Sequence, residues 1–149
     1  MGAIMVVRPA VVLAAVAILV CGIAYPVAVV LAGQAAFPFQ ANGSQFQLNG
    51  TVAGSYLIAQ NFTPASFFHP WNSSASGVDP AITVGYAYSQ IPGISGATGI
   101  PQPELYGIVN GSAQYTMFFF GERYINVVQV NLYLMRSYPS VYARYARTK

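Results

Sequence analysis

Hydrophobic positions are unbroken near the start of the chain and become mixed with polar ones afterwards. From Pro9 to Leu31 there is no Asp, Glu, Lys, Arg or His, and the uncharged run continues past Ala32. A helix rises about 1.5 Å per residue, so the segment PAVVLAAVAILVCGIAYPVAVVLA reaches roughly 36 Å and can cross a hydrocarbon core of about 30 Å. The pattern predicts a short N-terminus over residues 1–8, one transmembrane helix over 9–33 and a domain over 34–149. A single span cannot form a transport path alone.

A cleaved signal peptide is the competing interpretation, with Arg8 as its charged region and small residues around 32–36 as its cleavage site. Signal cores run about 7–15 residues, and this one is longer, which favours an uncleaved anchor. Arg8 precedes the span and no Lys or Arg follows until Arg123. The positive-inside rule therefore predicts a cytoplasmic N-terminus and a C-terminal domain outside the cell membrane.

Within the span, small residues recur at alternating steps of four and three, which places them on one helix face. Such faces let helix backbones approach closely in lipid, so we expect this one to pack against another membrane helix. The alternative is that alanine is simply common in membrane helices. Pro26 is expected to kink the span or to mark its outer end. The predicted packing face consists of Ala10, Ala14, Ala17, Cys21, Ala24 and Ala28.

Beyond the span, the pattern predicts a mixed domain. Residues 34–50 are turn-rich, residues 52–60 and 124–134 are β-rich and read as strands, and residues 61–79 read as a loop. Asp79 and Pro80 are predicted to cap a helix that runs to about Gln90 and stops before Pro92, followed by a turn over 93–101. A short helix is predicted over 102–109. Apolar spacing at Tyr138, Val141, Tyr142 and Tyr145 predicts a terminal amphipathic helix.

Composition supports an exterior location. Only 6% of residues are charged, against about 25% in an ordinary soluble domain. Because acid unfolds proteins mainly by protonating paired carboxylates, a domain with only three acidic residues is expected to tolerate an acidic exterior. Five of the seven asparagines lie in N-x-S/T sequons, which are glycan acceptors in exported proteins but also ordinary turn sequences. They are Asn42, Asn49, Asn61, Asn72 and Asn110.

Catalytic patterns are nearly absent from the sequence. His69 is the one histidine, Lys149 is the one lysine, and Cys21 lies inside the span. Zinc sites need three or four ligands, and no phosphate-binding or nucleophile motif is present. The sequence therefore predicts no catalytic, metal or directly bound cofactor site. A net charge of +3 with a late basic cluster favours contact with lipid, or a solvated helix face, over nucleic-acid binding.

Several blocks together carry a family resemblance. Arg8-Pro9 and the span are followed by QANGS (40–44), GSYLIAQNFT (54–63), FFH (67–69), SGVDPAIT (76–83), QIP (90–92) and INVVQVNLYL (125–134). Taken in this order, they resemble the C subunit of the Kdp potassium-transporting ATPase, KdpC. The motif candidates that this likeness singles out are Gln60, Asn61, His69, Asp79 and Gln90, each of which has a fold-stabilising cap or turn as its alternative role.

The resemblance implies a single-span, non-catalytic subunit of an ATP-driven, high-affinity potassium uptake complex. Its partners would be a channel-like K⁺-binding subunit and a P-type ATPase subunit, which handle K⁺ and ATP. The family's C subunit assists assembly and acts as a catalytic chaperone that raises ATP affinity. Since the predicted topology leaves about eight residues in the cytoplasm, any effect on ATP would pass through the span and its partners. The alternative is a membrane-anchored exterior glycoprotein with an envelope or interaction role.

This chain departs from the family pattern in one region. After Phe68-His69 it reads Pro70-Trp71 where the family has Gly-Arg, several dozen residues are missing before residue 76, and Gly93-Ile94-Ser95 replaces Arg-Val-Ala after QIP. A shortened member is therefore expected. The fold expected is a single N-terminal transmembrane helix plus a small α+β (mixed α/β) exterior domain.

Overall fold

The computed structural model of the chain describes residues 2–48, 50–71, 78–117 and 120–146. These form two compact units, Met1–Ser44 and Gln45–Lys149. The first unit contains one helix, Val7–Ala36, that is long and apolar enough to cross a membrane. None of the most apolar stretch of this helix is buried. The second is a mixed domain of helices and sheet. The predicted fold class, an N-terminal apolar helix followed by a small α+β domain, is confirmed.

The apolar helix is interrupted by one wide turn. It comprises α1 (Gly2–Leu19), a π-helical turn (Val20–Ala24) and α2 (Tyr25–Ala36). The Tyr25 N–H donates to the carbonyl of Val20, five residues back. Pro26 has no N–H and its ring crowds the carbonyl four residues before it, which accounts for the wider turn immediately upstream. Pro26 thus does not mark the end of the helix, which continues to Ala36.

A short turn closes the first unit. Helix α3 (Pro38–Ala41) follows α2 directly. The side-chain amides of Gln34 and Asn42 exchange two hydrogen bonds of 3.2 and 3.1 Å, and Asn42 also donates to the Pro38 carbonyl. This pairing turns the chain back beside the end of α2.

Within its described residues, the domain combines two small antiparallel sheets with four helices. The elements are β1 (Gln45–Leu48), β2 (Thr51–Ser55), β3 (Ala81–Thr83), α4 (Val84–Thr98), α5 (Gln102–Ser112), β4 (Gln114–Met117), β5 (Phe120–Asn126), α6 (Val127–Ser137) and α7 (Pro139–Ala146). One sheet is the hairpin β1–β2, and the other has the order β3–β5–β4. Helices α4 and α5 pack together, and α4, α5 and α6 each contact β5.

Among the residues that the structure describes, two apolar clusters hold these elements together. The larger joins the sheet, all four helices and the loop 66–71, and it includes the fully enclosed side chains of Ile91, Leu105, Val109 and Leu134. The smaller cluster packs the hairpin on α6 through Phe46, Val128 and Leu132. Burying each such aliphatic side chain contributes about 1.5–3 kcal/mol, so packing rather than disulfides stabilises the domain.

The predicted start of the first domain helix was wrong. Residues 81–83 are strand β3, paired with β5, and α4 begins only at Val84. Thr83 is the N-cap, and its hydroxyl accepts the N–H of Tyr86 at 3.2 Å. Asp79 instead accepts the N–H of Ala81 in a local turn. The β-sheet bonds of β3 therefore outweigh the capping preference of Asp79.

Capping by Thr83 leads to a testable difference between two alanine variants. Thr83→Ala is expected to lower the free energy of unfolding by about 1 kcal/mol, because a helix loses its cap. Asp79→Ala, which removes one exposed turn contact, should cost less. Denaturant unfolding of both variants measures the order, and a larger loss for Asp79→Ala would contradict this assignment.

The helix α4 also runs past its predicted stop. Pro92 lies inside it, and the helix ends at Thr98, followed by Gly99, whose φ of 75° suits a left-handed cap. A proline inside a helix costs about 3 kcal/mol. The buried side chains of Ile91 and Ile94, on either side of Pro92, offset that cost. Most of the predicted turn over 93–101 is therefore helical.

The predicted strand over 124–134 is wrong for most of its length, because only residues 124–126 are strand and residues 127–134 are helix. Strand β5 ends at Asn126, whose side-chain oxygen accepts the N–H groups of Val128 and Gln129, starting α6. The β-branched residues that suggested a strand instead line the buried side of this helix. The strand predicted over 52–60 likewise ends at Ser55, and the turn-rich segment 34–50 contains β1.

Two helix predictions and one loop are confirmed. The helix predicted over 102–109 is α5, which extends to Ser112. The terminal helix is α7, with Tyr142 fully buried and Val141 partly buried; the side chain of Tyr145 lies outside what the structure describes. Residues 61–71 have no helix or strand, and 72–77 lie outside the described residues.

Tyr138, at the junction of α6 and α7, carries a shifted pKa. Its hydrogen bond with Glu104, then partial burial and the Glu104 charge, raise the pKa from 10.0 to about 12. A folded pKa above the unfolded value means that this contact stabilises the fold below pH 10.0 and loses its effect as pH rises through about 12. The tyrosinate absorbance that Tyr138→Phe removes should titrate late, near pH 12, and a loss of absorbance that titrates near pH 10.0 would contradict the contact.

Candidate functional site

The central site candidate is the His69 loop, residues 66–71, which contains the FFH motif. It has no regular secondary structure, yet its backbone is held by side chains from three helices. Phe68 within it is fully buried. Because a loop without sheet or helix partners needs other hydrogen bonds for its buried backbone groups, the side chains that supply them decide its shape.

Asn131 of α6 holds the middle of this loop. Its side-chain oxygen accepts the Phe68 N–H at 2.9 Å, and its amide donates to the Phe68 carbonyl at 2.8 Å. Asn131 is fully buried and 63 residues away in sequence. The side chain thus acts like a neighbouring strand, satisfying both polar groups of one residue.

Gln90 of α4 repeats this arrangement one residue further on. Its Oε1 accepts the His69 N–H at 2.8 Å, and its Nε2 donates to the His69 carbonyl at 3.0 Å. Two of the five motif candidates therefore meet directly. The contact is through the His69 backbone, which leaves the imidazole free of this pairing.

Tyr142 of α7 holds the start of the loop. Its hydroxyl donates to the Ser66 carbonyl at 2.8 Å, and its ring lies 5.0 Å from that of Phe67. At the other end, the ring of exposed Trp71 contacts that of Tyr86, with centroids 4.6 Å apart and planes tilted by 49°. Both ends of the loop are thereby fixed to helices by aromatic side chains.

An open cleft of about 270 Å³ lies beside the loop. The His69 side chain lines it, opposite residues of α4 such as Tyr86 and Ser89. None of its lining residues is acidic or basic apart from His69, so the cleft suits a neutral polar or aromatic group more than an ion. The lining residues are Ala65, Phe67, His69, Tyr86, Ser89, Gln90, Gly93 and Ile94.

Of the other three motif candidates, Gln60 and Asp79 make local structural contacts, and Asn61 is exposed. Gln60 donates to the Ile58 carbonyl and lies over Gly54, where a Cβ would approach its side chain to 2.8 Å. Asn61 is exposed, and exposed Asp79 makes the turn described above. The Ala59 N–H donates to the Val78 carbonyl, which brings the segment of Gln60 and Asn61 beside that of Asp79. This contact does not bring either segment to His69.

The part of the chain that the structure describes contains no group of three or more residues suited to hold a metal ion. Among the sequons, Asn42 and Asn110 both use their side chains in hydrogen bonds. Asn42 is paired with Gln34, and the Asn110 oxygen accepts from Tyr88 and Arg123. Asn61 is exposed, and Asn49 and Asn72 lie outside the described residues.

A π-helical turn, Val20–Ala24, interrupts the predicted packing face of the span. The π-helical turn inserts about one extra residue, which rotates later positions by roughly 100°. Ala24 and Ala28 are therefore expected to lie on a different side of the helix from Ala10, Ala14 and Ala17. The packing face stays a prediction, now centred on its first half.

Two residues that hold the His69 loop, Asn131 and Tyr142, were not predicted from the sequence as site residues. Asn131 stands in an apolar run, and a polar residue among buried positions is the signal that could have found it. Tyr142 was predicted to be on an apolar helix face, but its hydroxyl partner is 76 residues away. Neither partner can be read from local spacing.

Gln90 provides a local test of the loop. Gln90→Glu removes the donor to the His69 carbonyl and places a carboxylate there, which should lower the free energy of unfolding by about 1–2 kcal/mol. The neighbouring Ser89→Ala, at an exposed position whose hydroxyl bonds only within α4, is the matched control. We call the hydrogen bonds by which Gln90, Asn131 and Tyr142 hold the His69 loop the clamp. Chemical denaturation measures both variants, and equal small losses would argue against a role for Gln90 in the clamp.

Comparison with known proteins gives a consistent family. The model of the family "KdpC: K⁺-transporting ATPase, c chain" matches residues 7–73 and 70–136. A potassium-transporting ATPase KdpC subunit of Caulobacter sp. (strain K31) is 30% identical, over 89% of this chain and 94% of that protein. The KdpC subunit of Yersinia enterocolitica is 31% identical over 85% and 90%. That of Rhodospirillum rubrum is 54% identical over 68 residues, 46% of this chain and 35% of its own.

These matches also locate the shortening. The alignment with the Caulobacter protein is 185 residues long but covers 89% of a 149-residue chain, so about 50 aligned positions have no counterpart here. The two family matches meet at residues 70–73, directly after His69. They end at residue 136, which leaves α7 and Tyr142 beyond them. The chain belongs to the KdpC family, the c chain of K⁺-transporting ATPases.

Proposed function

We propose that this chain is the non-catalytic accessory subunit of an ATP-driven, high-affinity potassium uptake complex. It assists assembly and acts as a catalytic chaperone for ATP binding by the P-type ATPase subunit. The observation that carries the proposal is a family match that runs through both the apolar helix and the domain of one short chain. The chain has one histidine and one lysine, which supports a helper role for it rather than ATP hydrolysis of its own.

In this proposal the first half of the packing face docks against the channel-like subunit, and membrane lipid covers the rest of the helix. The domain lies outside the cell membrane over the outer face of that subunit, with the N-terminus in the cytoplasm. Orientation rests on Arg8 and the positive-inside rule. No nucleic acid takes part, and K⁺ and ATP are handled by the partner subunits.

The chaperone role is tested on the complex itself. Membranes containing all subunits are compared with membranes lacking this chain, and the ATP concentration for half-maximal K⁺-stimulated hydrolysis is measured. The expected result is a rise of about fivefold or more without the chain, the lower end of usual coupling between sites. If the remaining subunits still assemble without this chain and the ATP concentration for half-maximal hydrolysis is unchanged, the chaperone role is rejected and the assembly role is left.

Orientation has a separate test. A cysteine introduced by Ser140→Cys at an exposed position, in a Cys21→Ser background, should react with a membrane-impermeant maleimide in intact cells. Reaction only after permeabilisation would place the domain in the cytoplasm. That outcome would reverse the topology proposed here.

A further inference from the structure

Another groove of the domain lies beside α6, away from the His69 cleft. Its volume is about 330 Å³, at the lower end of the range for pockets that bind small groups. Four of its five lining residues come from one face of α6, since they follow one another at helical spacing. We call it the Arg136 groove, and its lining residues are Tyr56, Gln129, Leu132, Tyr133 and Arg136.

The floor and one wall of the Arg136 groove are fixed by the domain itself. Leu132 is buried in the smaller apolar cluster. The Tyr56 ring lies 5.3 Å from that of Phe46 in the same cluster, and the Tyr56 carbonyl accepts the Asn126 side-chain amide at 2.7 Å. The groove therefore has its shape before any occupant enters, which lowers the entropy lost on binding.

The opposite wall is exposed and carries the one charge among the residues that line the groove. Tyr133 is 53% exposed, and Gln129 and Arg136 are exposed on the same side of α6. No acidic residue lines the groove, and no carboxylate in the described part of the chain forms an ion pair with Arg136. The guanidinium is thus available to a negative group from outside the chain.

The charge balance of the domain favours a negative partner as well. Between Gln45 and Lys149 the sequence has five basic and three acidic residues. Glu104 is hydrogen-bonded to Tyr138, and Asp79 accepts a backbone N–H in its own turn. The domain therefore has an excess of positive charge, and a surface with acidic residues complements it.

The residue types of the groove suit a carboxylate attached to a protein chain. A guanidinium presents a planar fork of N–H donors that matches the two oxygens of a carboxylate. Tyrosine and arginine are enriched among the residues that carry most of the binding energy of protein–protein interfaces. Gln129 and Arg136 are seven residues apart, so at 1.5 Å per residue the groove runs about 10 Å along α6. This length fits a short stretch of chain better than a single ion.

We propose that the Arg136 groove binds an acidic side chain of a partner subunit. Its carboxylate pairs with the Arg136 guanidinium, and the adjoining part of its chain packs between Tyr56 and Tyr133. The inference rests on the proposed function, because it names the chemistry that the partner presents to this domain. A cation in the last turn of α6 also suits the helix dipole, but that role would need neither the tyrosines nor the groove.

Site-specific photocrosslinking on the assembled complex tests the inference. The photoreactive residue p-benzoylphenylalanine takes the place of Tyr133 in the tagged full chain, the complex is irradiated in mild detergent, and mass spectrometry identifies the crosslinked peptides. We expect a crosslink to a partner-subunit peptide that contains Asp or Glu. The same photoreactive residue in place of Trp71, which is exposed and outside the groove, is the control and should not capture that peptide.

Two substitutions of Arg136 test the role of its charge. Arg136→Gln should lower the crosslink yield by about tenfold or more, because the partner carboxylate loses its counter-charge. Arg136→Lys keeps a positive charge in the last turn of α6 but loses the planar fork, and should give an intermediate yield. Arg123→Gln is the matched control, since Arg123 bonds to Asn110 within the domain, and it should leave the yield unchanged.

The outcomes separate this inference from the proposed function. If partner subunits elute with the chain but position 133 gives no crosslink, or the same yield with Arg136→Gln, the inference is wrong and the proposed function stands. A crosslink to a second copy of this chain, to lipid or to a peptide without Asp or Glu would also overturn it. If the unsubstituted chain elutes without partner subunits, the proposed function fails and the inference fails with it.

Discussion

Replacing Asn131 with leucine is expected to lower the free energy of unfolding by about 2–5 kcal/mol. Leucine fills a similar volume but leaves the N–H and carbonyl of Phe68 buried without partners, and each such group costs about 1–3 kcal/mol. Thermal unfolding of the full chain in mild detergent, followed by circular dichroism, measures the loss. At this domain size it corresponds to a midpoint lower by about 10 °C or more.

The matched control is Gln129→Leu, two positions earlier on the exposed side of α6. It introduces the same side chain without removing a buried hydrogen bond, and we expect a change within about 0.5 kcal/mol. If both variants lost the same stability, the effect would belong to α6 as a helix and not to the His69 loop.

The second large effect is expected in the membrane. The double variant Ala14→Leu/Ala17→Leu adds bulk where the predicted packing face meets its partner helix, and overpacking costs about 1–3 kcal/mol per site. Recovery of partner subunits with the tagged chain should fall about tenfold or more. Co-purification in mild detergent measures it directly.

A control on the opposite side of the same helix separates packing from hydrophobicity. Ala15→Leu adds the same bulk per site away from the small-residue face and should leave recovery unchanged. A loss as large as that of the double variant would show that helix bulk, and not this face, governs association. A packing face confined to residues before the π-helical turn also predicts a weaker effect for Ala24→Leu.

The features that sequence predicted correctly are those set by local patterns. An uncharged run defines the apolar helix, and apolar spacing defines α7, because both signals come from neighbouring residues. Predictions failed where tertiary contacts decided the outcome. Pro92 was expected to end a helix, but the helix continues beyond it because Ile91 and Ile94 are buried in the core. The β-branched residues after Asn126 form a helix, because the Asn126 side chain caps it.

The site shows the same division. Family motifs pointed to His69 and Gln90, and the structure joins them through two hydrogen bonds. The Asp79-Pro80 pattern predicted a helix cap at Asp79, and the structure has Thr83 in that role. Asn131 and Tyr142 complete the clamp from 63 and 76 residues away, separations that no single-sequence pattern reports.

The shortening of the chain lies next to the loop that the clamp holds. The family matches meet directly after His69, and the helix that supplies Tyr142 lies beyond their end. A loop that borders the missing segment is thus held partly by an element outside the matched region. Comparing Tyr142→Phe in this chain with Asn131→Leu would measure how much of the loop's stability each side supplies.

Co-purification tests the central claim most directly. The tagged chain is extracted in mild detergent from K⁺-starved cells, and the proteins that elute with it are identified. The account predicts a large P-type ATPase chain together with a polytopic channel-like chain, both in fixed proportion to the tagged protein. Elution of the chain alone, or with envelope glycoproteins, would contradict its role as a subunit of the potassium uptake complex.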